Sequence, residues 1–519
     1  MTSSMTSSAI KPYPAAPIAA NLPIAAVLAD ALLVSVNEYR RQLHGRRIWL
    51  ACSGGRDSLA LAAICLQLYR QGKLPFLPQL LHVDHNLQAG SQLWAQHVAK
   101  WAAAQQMSCT ILQAQVDGHD EQAARQARYQ IMGAHINQED VLLLAHHADD
   151  QAETVLMRLI QGAGVKGLSG MQSWRVTKQG EQQSILWRPW LSVRRAAISR
   201  YAKQLKLPYI NDPTNDSGDN VRSSLRCDVI PLLTTYNNNV IENIARSAQL
   251  LSDAQAIVSE QANKDMHYSA IERLCYPPVQ RALDIDLLQT LPIYRQRQLL
   301  HHWLAQDEPL PPNKQLIDDV LSLTQRADHD HQTQLDWQGR YQHYSVRRYR
   351  QQLYRLSETW LTWLELPLAE SKVLIEPFLP DSHSATDQSL SITLRDSDRC
   401  HWQLIVKLDH LLAFINANFV NKENHNIALQ VAPLDRQQRL QTALATRPQA
   451  GKKLYQTLGV PVWLRDSLIV VSVIDEQTGE KWPLLLLSPF ESWVLGVDKL
   501  ALKMTNTDNL VDSIIRNVL

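Results

Sequence analysis

The residues with the clearest chemical capacity form a short loop at positions 53–58, which reads Ser-Gly-Gly-Arg-Asp-Ser. An apolar run at Ile48–Cys52 predicts a buried strand before this loop, and the pattern over Asp57–Gln71 predicts a helix after it. Glycines let backbone N–H groups come close to an anion, and the start of a helix favours negative charge. The loop therefore predicts a phosphate-binding site, with a strand-to-helix turn capped by Ser53 as the alternative. It lacks the lysine of the Walker sequence, which argues against transfer of a γ-phosphate.

A second cluster lies in the segment Leu144–Thr154, which reads Leu-Ala-His-His-Ala-Asp-Asp-Gln-Ala-Glu-Thr. In a helix, His146, Asp150 and Glu153 share one face because they are spaced at i, i+4 and i+7. One imidazole and two carboxylates could recognise an ammonium group, bind Mg²⁺ or transfer protons. The alternative, strongest for Asp149, is that the acidic residues only complement the helix dipole. A metal-dependent phosphohydrolase is disfavoured, because no further His and Asp residues are spaced to complete a metal site.

The elements that would position both clusters alternate between strands and helices up to about residue 208. Predicted strands are Ile48–Cys52, Gln79–Val83, Cys109–Val116, Val141–His146 and Ile185–Trp190. Predicted helices are Asp57–Gln71, Ser91–Gln106, Glu121–Ile136 and Asp149–Gln161. This alternation predicts an α/β fold with a parallel sheet, whose ligands bind at the carboxyl ends of the strands. Both clusters follow such strand ends, so we expect them to contribute to one site.

We predict five segments along the chain: an N-terminal extension at 1–45, an α/β catalytic domain at 46–230, a mainly helical domain at 231–366, a linker at 367–390 and a small α+β domain at 391–519. Glycines between 162 and 170 predict a flexible connection, and the polar segment Asn211–Asp219 predicts an ordered loop over the site. Within the helical domain, Leu335–Leu356 alternates as paired strands do.

Composition narrows the class of protein. The 519 residues carry a formal net charge of +1, which argues against a uniformly basic nucleic-acid-binding surface and leaves only local patches. Six scattered cysteines without a C-x-x-C pair argue against a disulfide framework, a zinc ribbon or an iron–sulfur site, and favour the cytoplasm. The N-terminal stretch is too interrupted for a membrane span, and we favour an unstructured leader that ends in a helix near Ala25–Leu43 over a signal peptide.

The loop at 53–58 resembles the signature of the PP-loop pyrophosphatases, enzymes that cleave ATP between the α- and β-phosphates and pass AMP to a substrate. Further strings resemble the tRNA(Ile)-lysidine synthetase family. They are His-Val-Asp-His-Asn at 82–86, the Leu144–Thr154 segment, the Arg188-Pro189 pair with Arg194-Arg195, Asn-Asp-Pro-Thr-Asn at 211–215, Arg-Ser-Ser-Leu-Arg at 222–226, and the stretches beginning at Gly451 and Val460. The resemblance extends from about residue 45 to about residue 490. The chain departs from it at Ser223, where the family usually has Asn, and at Thr214, where Ser is commoner.

The resemblance implies a reaction in which ATP adenylates the C2 oxygen of the wobble cytidine in the isoleucine tRNA with a CAU anticodon. Free L-lysine then displaces AMP to give lysidine. It implies that ATP is bound by Ser53, Gly54, Gly55, Arg56, Asp57 and Ser58, and that Asp57 holds Mg²⁺. It further implies that lysine is bound by His146, Asp150 and Glu153, which also act in catalysis together with Asp57 and Arg125.

Some residues keep alternative interpretations. Arg125 and Arg128 could neutralise charge on the α-phosphate, or they could form a solvated helix face beside Glu121. His82, Asp84 and His85 could line the adenine or cytidine pocket, or form an ordinary strand-end turn.

Contacts to tRNA are expected from Arg194, Arg222, Arg226, Lys452, Lys453 and Arg465, because basic side chains fix phosphates. The basic and aromatic stretch Arg340–Arg350 is a second candidate, with a solvent-facing hairpin as its alternative. No membrane contact is expected, and a homodimer is compatible with the sequence.

Two rival functions remain at this point. A PP-loop enzyme that installs sulfur in tRNA usually needs catalytic or cluster-binding cysteines, which the scattered set does not supply. A tRNA-binding protein with a decayed ATP site is disfavoured, because both chemical clusters are complete.

Overall fold

The computed structural model of the chain describes residues 16–19, 22–84, 91–114, 121–179, 182–210, 221–269, 282–306, 308, 312–326, 334–340, 342–375, 389–397, 400–407, 411, 426–489, 491–495 and 515–518. It divides into two compact units, Met1–Ile257 and Val258–Leu519. The five-segment division made from the sequence stays a prediction.

The first unit is built on a six-stranded sheet. Its strands are β1 Ile48–Ala51, β2 Gln79–Asp84, β3 Cys109–Gln113, β4 Val141–Leu143, β5 Trp174–Gln179 and β6 Gln182–Trp187. The order is β3-β2-β1-β4-β6-β5, in which the first five are parallel and β5 is antiparallel to β6. The predicted parallel sheet is confirmed. The antiparallel edge strand β5 was not predicted. The last parallel strand, β6, lies earlier in the chain than the expected Ile185–Trp190.

Helices pack on both faces of this sheet. The helices of this part of the chain are α1 Ala26–Glu38, α2 Arg40–Leu43, α3 Arg56–Arg70, α4 Ser91–Ala104, α5 Glu121–His135, α6 Ala148–Ile160, α7 Val165–Leu168, α8 Arg195–Gln204, α9 Val221–Ser224, the π-helix Leu225–Val229, α10 Ile230–Tyr236 and α11 Val240–Ser269. Side chains alternate across a strand, so Leu50 packs into one buried cluster with α3 and Trp49 into a second cluster with α5. Two apolar layers therefore hold the carboxyl ends of the strands in fixed positions.

The N-terminal helix α1 belongs to this packed layer. Leu28 and Leu32 are fully buried, and the Leu28 carbonyl accepts the indole N–H of Trp190 at 3.1 Å. The Ser35 hydroxyl accepts the indole N–H of Trp187 at 2.8 Å. The helix expected near Ala25–Leu43 is thus present as α1 and α2.

The glycine-rich connection at 162–170 is not the flexible link that was expected. It contains α7, and the side-chain amide of Gln151 accepts from Met171 N at 2.7 Å and donates to Met171 O at 2.9 Å. Arg158 Nη1 donates to the carbonyls of Gly167 and Gly170 at 2.8 and 2.9 Å. These bonds from α6 fix the turn. The loop expected at Asn211–Asp219 lies outside the described residues.

Among its described residues, the second unit contains three antiparallel sheets. Its strands are β7 Leu283–Asp284, β8 Gln334–Gln338, β9 His343–Tyr349, β10 Gln352–Ser357, β11 Ser371–Ile375, β12 Ser389–Ser397, β13 Cys400–Lys407, β14 Ile427–Pro433, β15 Ile469–Asp475, β16 Lys481–Leu487, β17 Ser492–Val494 and β18 Ile515–Val518. The sheets have the orders β7-β10-β9-β8, β11-β14-β15-β16-β17 and β12-β13-β18. The paired strands expected in Leu335–Leu356 are confirmed as β8, β9 and β10.

Helices of the second unit are α12 Ile285–Thr290, α13 Ile293–Leu304, α14 Lys314–Thr324, α15 Glu358–Glu365, α16 Gly451–Leu458 and the 3₁₀-helix Val462–Ser467. The chain therefore continues from the α/β domain through a helical region into β-rich C-terminal structure, as the fold class predicted. Strand β11 lies inside the range expected as a linker, because Val373 and Ile375 alternate inward and pair with β14.

Candidate active site

The strand order brings the two chemical clusters to one edge of the sheet. Strands β1 and β4 are direct parallel neighbours, with Leu50 in register with Leu143. The sheet order reverses between them, and such a switch point opens a crevice at the carboxyl ends of the strands. The loop 53–58 follows β1, and the His146–Asp150 segment follows β4. Their proximity follows from topology, although residues 59–145 separate them along the chain.

The loop 53–58 has the geometry of an anion cradle. Gly54 has φ of +80°, and a Cβ added there would lie 2.9 Å from Val98 Cγ2, so glycine is required on both counts. The hydroxyl of Ser53 accepts from Gly55 N at 3.3 Å, and the hydroxyl of Ser58 donates to Gly55 O at 3.1 Å. Within the described part of the chain, no side chain caps α3, so its first N–H groups are directed at whatever the loop binds.

Asp57 stands in the first turn of α3 and is only partly exposed. Its Oδ1 accepts from Arg56 Nε at 3.0 Å, and its Oδ2 lies 3.7 Å from His147 Nε2. Burial would raise the pKa of Asp57, but His147 and Arg56 outweigh burial and hold the pKa well below its usual range. A permanently ionised carboxylate therefore lies beside the cradle.

His147 links the two clusters, and no role was predicted for it from the sequence. Its Nδ1 accepts from Asp150 N at 3.3 Å while Asp150 Oδ2 accepts from His147 N at 3.1 Å, which forms a capping box at the start of α6. Burial lowers the pKa of His147, but Asp150, Asp57 and Asp149 outweigh burial and raise it. The spacing of His147 and Asp150, three residues apart at a helix start, was the signal that could have identified this residue.

Asp149 and Arg194 form the outer side of the cluster. Asp149 Oδ2 accepts from Arg195 N at 2.8 Å and so caps α8, and it lies 3.5 Å from Arg194 Nε. Arg194 also pairs with Glu242 on α11. Asp149 is therefore more than a complement to the dipole of its own helix.

Glu153, one turn along α6, is 1% exposed and holds two arginines. Arg226 donates to it from Nε at 2.7 Å and from Nη2 at 3.0 Å, and Arg222 donates from Nε at 2.8 Å. Arg222 Nη2 also lies 3.6 Å from Asp150 Oδ1. The structure thus joins predicted lysine ligands to predicted tRNA contacts in one ion-pair network.

His146 lies on the other side of the α6 start. Its Nδ1 accepts from Arg188 Nε at 3.2 Å, and Arg188 follows β6, the parallel neighbour of β4. The prediction that His146, Asp150 and Glu153 share one face of a helix is wrong for His146, because α6 begins at Ala148 and His146 precedes it.

The remaining predicted residues are divided between the two units, and one of them has a side chain that the structure does not describe. Arg125 is in α5, and its side chain lies outside the described residues. His82 is buried and its Nδ1 lies 2.8 Å from Cys52 O, while burial lowers its pKa. Lys452 and Lys453 are exposed on α16 of the second unit. Arg465 lies in the 3₁₀-helix of that unit, with its guanidinium 5.3 Å from the ring centre of Tyr455.

The described side chains suit a metal ion whose ligands come mainly from phosphate and water and only in small part from the protein. Among the described residues, no three His, Cys, Asp or Glu side chains are grouped to hold a metal ion. Mg²⁺ typically binds one or two carboxylates together with phosphate oxygens and water. The ionised Asp57 beside the cradle fits that arrangement as a single protein ligand.

Within the part of the chain that the structure describes, none of the helices combines the length and apolar character needed to cross a bilayer.

Comparisons with known proteins agree with this geometry. A model of the PP-loop domain matches residues 29–233, and a model of the TilS substrate binding domain matches residues 283–354. A tRNA(Ile)-lysidine synthase of Actinobacillus pleuropneumoniae serotype 3 is 28% identical over 440 residues, which cover 83% of this chain and 94% of the relative. One from Acinetobacter baylyi is 35% identical over 312 residues, which cover 60% and 63%. One from Psychrobacter sp. (strain PRwf-1) is 38% identical over 509 residues, which cover 90% and 94%. Similarity of that degree over nearly the whole of the last relative shows that the chain belongs to the tRNA(Ile)-lysidine synthase family.

Proposed function

We propose that this chain is an ATP-dependent ligase that joins free L-lysine to C2 of the wobble cytidine in the isoleucine tRNA with a CAU anticodon. The observation that carries the proposal is the meeting of the loop 53–58 and the start of α6 at one edge of the sheet. A phosphate cradle beside a group of carboxylates suits a site that transfers AMP and then admits an amine. The products are lysidine, AMP and pyrophosphate.

The proposed reaction has two steps. In the first, the C2 oxygen of cytidine bonds to the α-phosphorus of ATP, the bond from that phosphorus to the bridging oxygen breaks, and pyrophosphate leaves. In the second, the amine nitrogen of lysine bonds to C2, the C2–O bond breaks, and AMP leaves with the electron pair while the amine releases a proton. Adenylation is needed because the oxygen of a nucleobase is otherwise a poor leaving group.

ATP is assigned to the loop 53–58. Gly54 and Gly55 allow the backbone to come close to the β- and γ-phosphates, and the uncapped start of α3 offers N–H donors to them. Ser53, Arg56 and Ser58 complete the cradle, and Arg125 is assigned to charge on the α-phosphate. Asp57 would hold Mg²⁺, which when bound offsets charge on the departing pyrophosphate.

Lysine is assigned to the start of α6. The Asp150 carboxylate is partly exposed and offers a charge-assisted bond to an ammonium group. His146, which lies in the segment between β4 and α6, is assigned to lysine with it. We assign Glu153 a part in lysine use through Arg222 and Arg226, because its own oxygens are already engaged.

The tRNA is assigned to basic side chains in both units, namely Arg194, Arg222, Arg226, Lys452, Lys453 and Arg465. Exposure of Lys452 and Lys453 supports this assignment, because phosphate contacts need accessible cations. Arg222 and Arg226 are about one-quarter exposed beside Glu153, so part of each guanidinium reaches solvent. Scattered cysteines and these substrates support a cytoplasmic location, and a homodimer stays a prediction.

The order of substrates tests the proposal. Because the adenylated group is a base of the RNA, conversion of ATP to AMP and pyrophosphate should require the isoleucine tRNA and should begin without lysine. Radiolabelled lysine should then become bound to that tRNA in a single-turnover assay. Release of AMP at the full rate from ATP and lysine without tRNA would overturn the proposal, because lysine would then be the adenylated partner.

A further inference from the structure

His147 lies between the two clusters of the candidate active site. It is 2% exposed and is the N-cap residue of α6. Asp57, Asp149 and Asp150 each place a carboxylate oxygen within 3.7 Å of its ring. Of these three, Asp149 is already bound to Arg195 N at the start of α8. Asp57 and Asp150 are therefore the carboxylates that the ring can position.

The two ring nitrogens of His147 have different partners. Nδ1 accepts from Asp150 N at 3.3 Å and so caps α6, because a backbone N–H group can only donate. In a neutral ring that accepts at Nδ1 the proton is on Nε2, and an imidazolium has a proton there as well. Nε2 is therefore a donor in both charge states. It lies 3.7 Å from Asp57 Oδ2 and 3.5 Å from Asp150 Oδ2, so one N–H group is near both carboxylates.

This contact joins parts of the site that are distant in sequence. Asp57 is in the loop that follows β1, and Asp150 is in the first turn of α6, which follows β4. Within the described part of the chain, His147 is the side chain from outside that loop that contacts the Asp57 carboxylate, whose other contact is with the adjacent Arg56. The position of Asp57 relative to the start of α6 is therefore set in part by this ring.

We infer that His147 is a positioning residue for both ATP and lysine, in which Nε2 holds the carboxylates of Asp57 and Asp150 at the spacing that the reaction needs and Nδ1 only caps α6. The inference rests on the function proposed above and deepens it, because Asp57 is assigned there to the ATP site and Asp150 to lysine. The amine of lysine must reach the same C2 atom that ATP has adenylated, so the spacing of the two carboxylates affects both steps.

Two substitutions separate the roles of the two nitrogens. In His147→Asn the amide oxygen takes the place of Nδ1 and still caps α6, but no atom reaches the place of Nε2. In His147→Gln the longer side chain can bring its amide N–H to the place of Nε2, but the acceptor at the cap is lost. The melting temperature of His147→Gln should therefore be about 2–4 °C below that of His147→Asn, the usual effect of a lost cap in a unit of this size.

Ligand affinity should follow the opposite order. The measurement is equilibrium binding of radiolabelled lysine, and of a non-hydrolysable ATP analogue with Mg²⁺, to the full chain. His147→Asn should weaken both about tenfold, a common effect of losing a group that orients a ligand-binding side chain, whereas His147→Gln should stay within about threefold of the unaltered chain. Asn313→Ala is the matched control, because Asn313 caps α14 in the second unit by accepting from Leu316 N at 2.8 Å. It should lose stability and keep both affinities.

The order of the two variants decides the inference. Unchanged affinities in His147→Asn, or weaker binding by His147→Gln than by His147→Asn, would make His147 a helix cap only. Weaker binding of one ligand alone by His147→Asn would show that the ring positions a single carboxylate. If His147→Asn does not fold, His147→Ser, whose hydroxyl also caps helices well, takes its place. Failure of both to fold would assign His147 to the fold alone. An unaltered chain that binds neither ligand would refute the proposed function, whereas a reversed order of the variants in a chain that binds both would refute this inference alone.

Discussion

The carboxylate of Glu153 accepts two hydrogen bonds from Arg226, at 2.7 Å from Nε and 3.0 Å from Nη2, across 73 residues of chain. Glu153 is almost fully buried, whereas the arginines around it are about one-quarter exposed. The carboxylate is therefore the interior member of a network whose cations reach towards solvent. This arrangement connects α6, which carries part of the candidate active site, to the helices at Val221–Val229.

Removal of the central charge should destabilise the fold as well as the activity. Glu153→Gln removes the negative charge that two arginines share and leaves a single amide oxygen to accept from both, so we expect a loss of about 2–3 kcal/mol in the free energy of unfolding. That is below the roughly 3–5 kcal/mol typical of fully buried pairs, because these arginines are partly solvated. Chemical denaturation measures it. Arg222→Gln is the matched control and should lose less, since Glu153 keeps both bonds from Arg226. If Glu153→Gln is as stable as the unaltered chain and only the KM for lysine rises, Glu153 is a direct lysine ligand.

The local parts of the site were predictable from the sequence, whereas the network around Glu153 was not. The strand, glycine turn and helix at 48–71 can be identified within a short stretch of sequence, because the effects of glycine and of apolar periodicity are local. Lysine binding by Glu153 and tRNA binding by Arg222 and Arg226 were separate predictions. Nothing in a short window indicates that two partly exposed arginines share one buried carboxylate, since tertiary packing alone brings them together.

The fold shows the same division. The parallel order followed from alternating strands and helices, but β5 was missed even though Trp174–Gln179 alternates like an exposed strand. The π-helix Leu225–Val229, which carries Arg226, has no sequence signature of its own.

Loss of the Asp57 charge should stop the first step of the reaction. Asp57→Asn keeps the shape of the side chain but removes its negative charge from beside the phosphate cradle. The rate of pyrophosphate release should therefore fall at least about 100-fold. Binding of tRNA, measured by filter retention, should persist. Asp30→Asn removes a carboxylate from the exposed face of α1 and should leave both measurements unchanged. Normal turnover by Asp57→Asn would show that the active site has been assigned to the wrong loop.

A methyl group at Gly54 should block the phosphate cradle. Gly54→Ala places a Cβ 2.9 Å from the fully buried Val98 and also strains a backbone with φ of +80°. Gly45 has φ of +73° with no atom within 4 Å of an added Cβ, so Gly45→Ala carries the strain alone, about 1–2 kcal/mol. We expect the KM for ATP to rise in Gly54→Ala and to stay unchanged in Gly45→Ala.

A second change separates the clash from the strain at Gly54. The double variant Gly54→Ala/Val98→Ala removes the methyl group that the added Cβ meets, and it should recover part of the affinity for ATP. An unaltered KM in Gly54→Ala alone would mean that this turn does not hold the phosphates.

The pair of Asp265 and Arg295 should contribute to stability against acid. The bond from Arg295 lowers the pKa of Asp265, which is 3% exposed on α11. A depressed carboxyl pKa stabilises the fold above the unfolded value of about 3.9, and this contribution disappears as the pH falls through the lower folded value. Asp265→Asn should therefore lower the melting temperature at neutral pH. In acid, the difference in melting temperature between this variant and the unaltered chain should become smaller. Glu260→Gln, which breaks the exposed pair with Lys264 on the same helix, should change neither. A neutral-pH melting temperature that is the same in both variants would remove Asp265 as a contributor.

The exposed lysines of α16 should bind tRNA through its phosphates without touching the reacting atoms. Each phosphate contact releases counterions, so Lys452→Ala/Lys453→Ala should flatten the dependence of tRNA affinity on salt by about one unit of slope per lost contact. Arg436→Ala is the matched control, because Arg436 is already paired with Asp466 at 2.8 Å and should change the slope less. In steady-state assays the tRNA requirement of the double variant should rise, and saturating tRNA should restore most of the rate. A maximal rate that stays low would show that this region also orients the anticodon stem. A salt slope equal to that of Arg436→Ala would place the phosphate contacts elsewhere on the chain.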